Sequence, residues 1–133
     1  MHTRIEFTRA PIVPPAAAPS SSEIGASLEF SGLVRELENG KKISGLYYEA
    51  YEPMAREQLE RICHELAARH PCEDVLFIHR LDFVPVGEAS LYISIRSRHR
   101  QAALALMGEL IDRLKADVPI WKRAATGNED GGQ

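Results

Sequence analysis

Apolar and polar positions alternate at the start of the chain, with Ile5 and Phe7 set against Arg4, Glu6 and Thr8. That period of two predicts a short strand over residues 4–8. Residues 11–22 follow with Pro11, Pro14, Pro15, Pro19 and a serine run. Proline removes ladder donors, so this stretch predicts a surface loop. Alternation resumes at Gly25, where Ala26, Leu28 and Phe30 oppose Ser27, Glu29 and Ser31. A half-buried strand is expected there, with Gly32 marking a bulge or a close backbone approach. Arg35 stands at its end. The polar segment 36–42 carries Asn39-Gly40, a turn signal, and is expected to be mobile. Ile43 to Tyr51 predicts a strand that pairs back on the one before it.

The period then changes. Ala55, Leu59, Ile62, Cys63, Leu66 and Ala67 recur at three- and four-residue steps, which predicts an amphipathic helix. Pro53 suits its first turn and Pro71 ends it. Strands are expected over 74–81 and 88–96, with Pro85-Val86-Gly87 as the turn between them. In the second of these, Leu91, Ile93 and Ile95 face one side and Ser90, Tyr92, Ser94 and Arg96 the other. Ser97 is a candidate cap for a second helix, whose core side is Ala103, Leu106, Met107, Leu110, Ile111 and Leu114. Asp117 and Pro119 end that helix, Ile120 and Trp121 form a short buried extension, and a polar tail over 125–133 is expected to fray. The order predicts an α+β fold with a mostly antiparallel sheet and two main amphipathic helices. With 133 residues the chain suits one domain, 1–133.

Charge narrows the function. The net charge of −3 argues against a general polyanion binder, and against nucleic acid in particular. The cations are concentrated in two places, Arg96, Arg98, His99 and Arg100, and then Lys115, Lys122 and Arg123. A mildly acidic chain with clustered cations suggests a local anion site. A small acidic group stands at Glu129 and Asp130. No stretch reaches the roughly 20 apolar residues of a membrane helix, and the N-terminus lacks a signal-peptide pattern, so a cytoplasmic protein is expected. Cys63 and Cys72 match no zinc or CxxC spacing. Cys63 lies on the apolar helix face, where a packed thiol is expected rather than a nucleophile or a disulfide.

Three positions could carry chemistry. His99 and Arg100 are placed in the first turn of the second helix, where cations oppose the dipole. Free backbone N–H groups, an imidazole and a guanidinium there make an anion pocket, against the alternative of a solvated basic turn. Lys115 falls in the last turn of the same helix, where a cation suits the dipole. Lys122 follows Trp121, whose ring could desolvate it into a usable base or nucleophile; a snorkelling surface lysine is the plainer alternative. Arg35 is a further candidate phosphate clamp. His79 shares a face with Val75 and Phe77 and reads as a packed histidine, while His64 and His70 read as helix-surface residues. No metal cluster, carboxylate pair or Walker pattern stands out, and no cofactor is expected.

These residues also carry a family resemblance. Phe30-Ser31-Gly32-Leu33-Val34-Arg35 resembles an F-x-G-x-V-R strand. Tyr48-Glu49-Ala50-Tyr51 with Met54-Ala55 resembles L-E-x-Y-x-x-M-A, Ile78-His79-Arg80 resembles I-x-H-R, and Gly87-Glu88 opens a strand similar to G-E/D-x-x-V-x-V. Ser97-Arg98-His99-Arg100 resembles S-x-H-R, and Leu114-Lys115 with Pro119-Ile120-Trp121-Lys122-Arg123 is similar to L-K-x-x-x-P-x-W-K-K/R. In order, from about Gly25 to Arg123, the set resembles the large, catalytic subunit of molybdopterin synthase, the MoaE type. The resemblance implies a hammerhead-type fold and an enzyme, a sulfurtransferase of molybdenum cofactor biosynthesis. It implies a thiocarboxylated, ubiquitin-like small subunit as sulfur donor and cyclic pyranopterin monophosphate as acceptor, within a heterotetramer built on a homodimer. It implies Lys115 and Lys122 as catalytic lysines, and Leu33, Val34, Arg35, His99, Arg100, Arg123 and Ala124 as substrate-binding positions.

Two other readings compete. A non-catalytic homologue that binds a phosphorylated pterin or a ubiquitin-like partner would fit Ala124, where the family usually has Glu, and the chain's end soon after Arg123. A nucleic-acid module using Arg96 to Arg100 lacks an aromatic platform beside that cluster.

Overall fold

The computed structural model describes residues 1–16 and 21–126. The middle of the proline-rich stretch, at 17–20, and most of the expected frayed tail, at 127–133 with Glu129 and Asp130, lie outside the described residues. Residues 11–16 carry no regular structure, as their prolines require.

Strands β1 (His2–Thr8), β2 (Ala26–Leu33), β6 (Asp74–Arg80) and β8 (Ala89–Ser97) form a four-stranded sheet in the order β1-β6-β8-β2. Only β1 and β6 run parallel; the other pairs are antiparallel. The register of β2 on β8 shifts between Gly32 and Leu33, so the bulge expected at Gly32 is present. Helices α1 (Glu52–Arg69) and α2 (Arg100–Asp117) share one core with this sheet. Leu59, Ile62 and Leu66 from α1 and Leu106 and Leu110 from α2 meet Phe77, Ile93 and Ile95 from the strands. All eight are at most 1% exposed, so each contributes about 1.5–3 kcal/mol of transfer free energy. The two helices are tied at the surface as well, since Glu109 on α2 accepts from Arg69 at 2.9 Å and meets His70 at 2.5 Å.

The strand expected over 43–51 is β5 (Gly45–Ala50), and it does not pair back on β2. It lies between β7 (Asp82–Pro85) and β9 (Ile120–Ala125) in a second, three-stranded sheet. Gly45 explains part of this choice. A Cβ there would stand 2.5 Å from the Val84 carbonyl oxygen, so only glycine permits β5 and β7 to pack this closely. Neither β7 nor β9 follows from the sequence pattern. Asp82 takes φ +66 directly after β6, which ends close to the expected strand's end at 81, and β7 then joins the second sheet from residues that lay in the connection between two expected strands. Ile120 and Trp121 belong to an exposed six-residue strand, and Trp121 is 58% exposed where a buried extension was expected.

Segment 36–42, expected to be mobile, folds as a hairpin of β3 (Leu37–Glu38) and β4 (Lys41–Lys42). Asn39 and Gly40 both have positive φ, 51 and 77, the backbone that a two-residue hairpin turn needs. Ile43 anchors its base in a small second core with Val34, Leu46 and Val84. This hairpin and the second sheet form one wall of a cavity against the end of α2.

Candidate functional site

A cavity of about 610 Å³ opens where β2 ends, α2 ends and β9 begins. Each element delivers one cation. The β2 bulge at Gly32 and Leu33 leads into Arg35, the last turn of α2 carries Lys115, and Lys122 projects from β9. Lys115 complements the carbonyl end of its helix, so its charge is placed there at a gain rather than a cost. Glu38 of the hairpin is the one carboxylate on this wall, and its Oε2 lies 3.1 Å from Lys122 Nζ. No carboxylate pairs with Arg35 or Lys115 among the described residues. Three cations facing one carboxylate make a site for an anion.

The apolar part of the lining includes Phe30, Leu46, Ile111 and Ile120. Leu33 and Val34 also line the cavity, one exposed and the other buried. The structure therefore brings together Leu33, Val34, Arg35, Lys115 and Lys122 from the expected site residues.

It does not bring His99, Arg100, Arg123 or Ala124 to the same cavity. His99 is the N-cap of α2 and Arg100 its first residue, so His99 stands just outside the first turn in which it was expected. Fifteen residues of helix, roughly 22 Å, separate Arg100 from Lys115. Ser97 does not cap this helix. It is buried at the end of β8, where its hydroxyl donates to the Pro71 carbonyl at 2.8 Å and accepts from the His99 N–H at 3.4 Å. Within the basic cluster, Arg96 is held by Asp74 and Arg98 by Glu23 and Glu73. The His99 ring and the Arg100 guanidinium remain exposed and unpaired among the described residues.

Strand alternation decides the rest. In β9, Lys122 shares a face with Tyr48 across the sheet, while Arg123 shares the opposite face with Tyr47. The Arg123 guanidinium stacks 4.3 Å over the Tyr47 ring, away from the cavity. Ala124 lies on the Lys122 side but beyond the lining residues. The same alternation turns Trp121 away from Lys122, so the indole does not desolvate the lysine as its neighbourhood in sequence suggested. Trp121 instead lines a separate cavity of about 250 Å³ with Arg9, Tyr51 and Asp82.

Glu38, Tyr48 and His79 line the site and are not singled out for it by their sequence patterns. His79 is a packed histidine as expected, 5% exposed, with the Tyr48 ring edge-on at 4.9 Å. Its Nδ1 lies 2.8 Å from the Arg80 carbonyl oxygen. A carbonyl only accepts, so Nδ1 carries the ring proton. Burial lowers the His79 pKa below its ordinary value, against the smaller opposing effect of the Arg80 carbonyl. Both cysteines are free thiols made inert by burial, which pushes Cys63 up to about 12 and Cys72 up to about 11. Among the described residues no group of three or more His, Cys, Asp or Glu is placed to hold a metal ion. No helix among them is long and apolar enough to cross a membrane.

Comparison with known proteins gives the family and the fold. The family model described as MoaE protein matches residues 7–117. A curated Homo sapiens relative, named molybdopterin synthase catalytic subunit, is 44% identical over 99 residues, covering 74% of this chain and 53% of the relative. A relative of the same name from Drosophila willistoni is 44% identical over 110 residues, 82% of this chain and 30% of that protein. The chain thus spans about half or less of the length of these curated relatives. The crystal structure of molybdopterin synthase from Staphylococcus aureus superposes with a TM-score of 0.81 at 30% identity, covering 92% of this chain and 90% of that one.

Proposed function

The chain belongs to the MoaE protein family, and from that premise we propose that it is the catalytic subunit of a molybdopterin synthase. It would move sulfur from the C-terminal thiocarboxylate of a ubiquitin-like small subunit to cyclic pyranopterin monophosphate, building the dithiolene of molybdopterin and leaving each donor tail as its carboxylate. The observation that carries this reading is the meeting of Arg35, Lys115 and Lys122 in one cavity. The reaction brings two anions together, a phosphate and a thiocarboxylate, and develops an oxyanion on the acyl carbon. Preorganised cations stabilise all three. Lys115 and Lys122 are assigned to the acyl group, which a lysine can polarise or intercept. Arg35 is assigned to the phosphate, whose oxygens a guanidinium can hold in a fork.

The assembly follows from the positions of His99 and Arg100. If both hold the same phosphate, they cannot come from the chain that supplies Lys115, and a second copy must provide them. Strand β2 suits that role. It is the outer edge of its sheet, it starts beside Ser97 and it ends beside Arg35. Two β2 edges paired antiparallel would set His99 and Arg100 of one copy near Arg35 of the other. This supports a homodimer as the core of a heterotetramer with two small subunits. A complex of subunits 1 and 2 of molybdopterin-converting factor from Helicobacter pylori is among the similar structures, with a TM-score of 0.63 at 27% identity over 80% of this chain and 74% of that one. The two free thiols fit a reducing, cytoplasmic setting.

The deciding experiment mixes the purified chain with cyclic pyranopterin monophosphate and a thiocarboxylated small subunit and looks for molybdopterin. Product is expected. Pterin binding without product, while a control large subunit is active, would replace this reading with that of a non-catalytic binding homologue.

A further inference from the structure

His79 has one ring nitrogen spent and one unspent. Nδ1 donates to the Arg80 carbonyl, which leaves a lone pair on Nε2. No described side chain or backbone group donates to it. Among the described residues the sealed side-chain polar atoms without a partner are Thr3 Oγ1, Gln58 Oε1 and Arg80 Nε, and His79 Nε2 is not one of them. It is therefore reached from the cavity that the residue lines. The ring cannot turn away to find another partner. Tyr48 packs edge-on at 4.9 Å, Phe77 lies 6.3 Å away on the core side, and the Arg80 bond fixes the ring plane.

We propose that His79 is a substrate-orienting residue whose Nε2, on the cavity lining, accepts a hydrogen bond from a ring N–H of the bound pterin. The proposal rests on the pterin reading above and adds the ligand's orientation to it. A neutral acceptor repels phosphate oxygens, so the phosphate must lie toward Arg35 and the lysines while the donor edge of the heterocycle points inward. Glu38, the carboxylate on the wall, is engaged by Lys122. A buried acceptor left without a donor is costly, so a ligand lacking that N–H is rejected more strongly than one bond gained would suggest. Burial opposes a proton on His79, which keeps the lone pair available.

The test uses the full chain with its histidine rings labelled with 15N. Addition of cyclic pyranopterin monophosphate should shift the His79 Nε2 resonance, and inorganic phosphate should not. In parallel, His79→Asn keeps an amide donor for the Arg80 carbonyl but removes the acceptor. It should weaken pterin binding about tenfold and leave phosphate binding unchanged. His79→Gln, whose amide oxygen reaches the Nε2 position, should recover most of the loss. Pterin binding with an unmoved Nε2 resonance would overturn the role of His79 alone, even if the Asn variant failed to fold. A wild-type chain that binds no pterin at all would overturn the pterin reading, and this proposal with it.

Discussion

Lys122 Nζ and Glu38 Oε2 stand 3.1 Å apart, joining strand β9 to the 36–42 hairpin on the lining of the cationic cavity. The pair is unequal, since Glu38 is 21% exposed and Lys122 55%. An anion entering the cavity must compete with Glu38 for this ammonium. Glu38→Gln removes the competitor and keeps the shape. Its affinity for inorganic pyrophosphate should rise by up to about fivefold, the most that a solvent-reached ion pair withholds. Isothermal titration reads this directly. Combining Glu38→Gln with Lys122→Ala should cancel the gain, and a gain that persists without Lys122 would mean that Glu38 acts on some other cation.

Lys115 has no ion-pair partner among the described residues and sits exposed on the final turn of α2. Its removal should cost the fold almost nothing and the reaction nearly everything. Lys115→Ala is expected to lower turnover by about 100-fold or more, as losing a preorganised charge at a developing oxyanion does. Its unfolding midpoint in urea should match the parent. Normal turnover in this variant would remove Lys115 from the chemistry.

Both lysines were legible in the sequence as cations, and their convergence was not. Lys115 comes from a helix end and Lys122 from a strand that sequence periodicity did not reveal. Only the pairing of β9 on β5 turns Lys122 toward the cavity. The two helices and the main strands were readable because their buried positions repeat at 3.6 or 2 residues. Strand β7 was hidden because it is only four residues long and starts at the positive φ of Asp82, which no hydrophobic pattern records. The strand alternation that separates Lys122 from both Trp121 and Arg123 was equally invisible while Ile120 and Trp121 read as a short buried extension. His99 and Arg100 were placed near the start of α2, yet chain order did not reveal that this end of the helix stands far from the cavity at Lys115.

That last point has a genetic-style test. If each site takes Lys115 from one copy and Arg100 from the other, a mixed dimer of Lys115→Ala and Arg100→Ala chains contains one intact site. Mixing the two inactive variants, with subunit exchange, should then recover about a quarter of the parent activity. Activity that stays at the level of the separate variants would place both residues in one chain's site, or Arg100 in no site at all.

The buried imidazole of His79 also links stability to pH. Its pKa is held below the ordinary value of about 6.5 because burial disfavours the charged ring. In the unfolded chain the same ring takes up a proton as the pH falls through about 6.5, whereas in the fold it stays neutral until a lower pH. The unfolded state thus binds more protons in that window, so stability is full above about 6.5 and falls as the solution is acidified below it. His79→Asn cannot titrate. Urea denaturation of both proteins at a series of pH values should show the parent losing more stability than the variant on acidification from pH 7 to pH 5. Equal losses would mean that the ring titrates in the fold as it does in water, and that His79 is less sealed from solvent than its 5% exposure indicates.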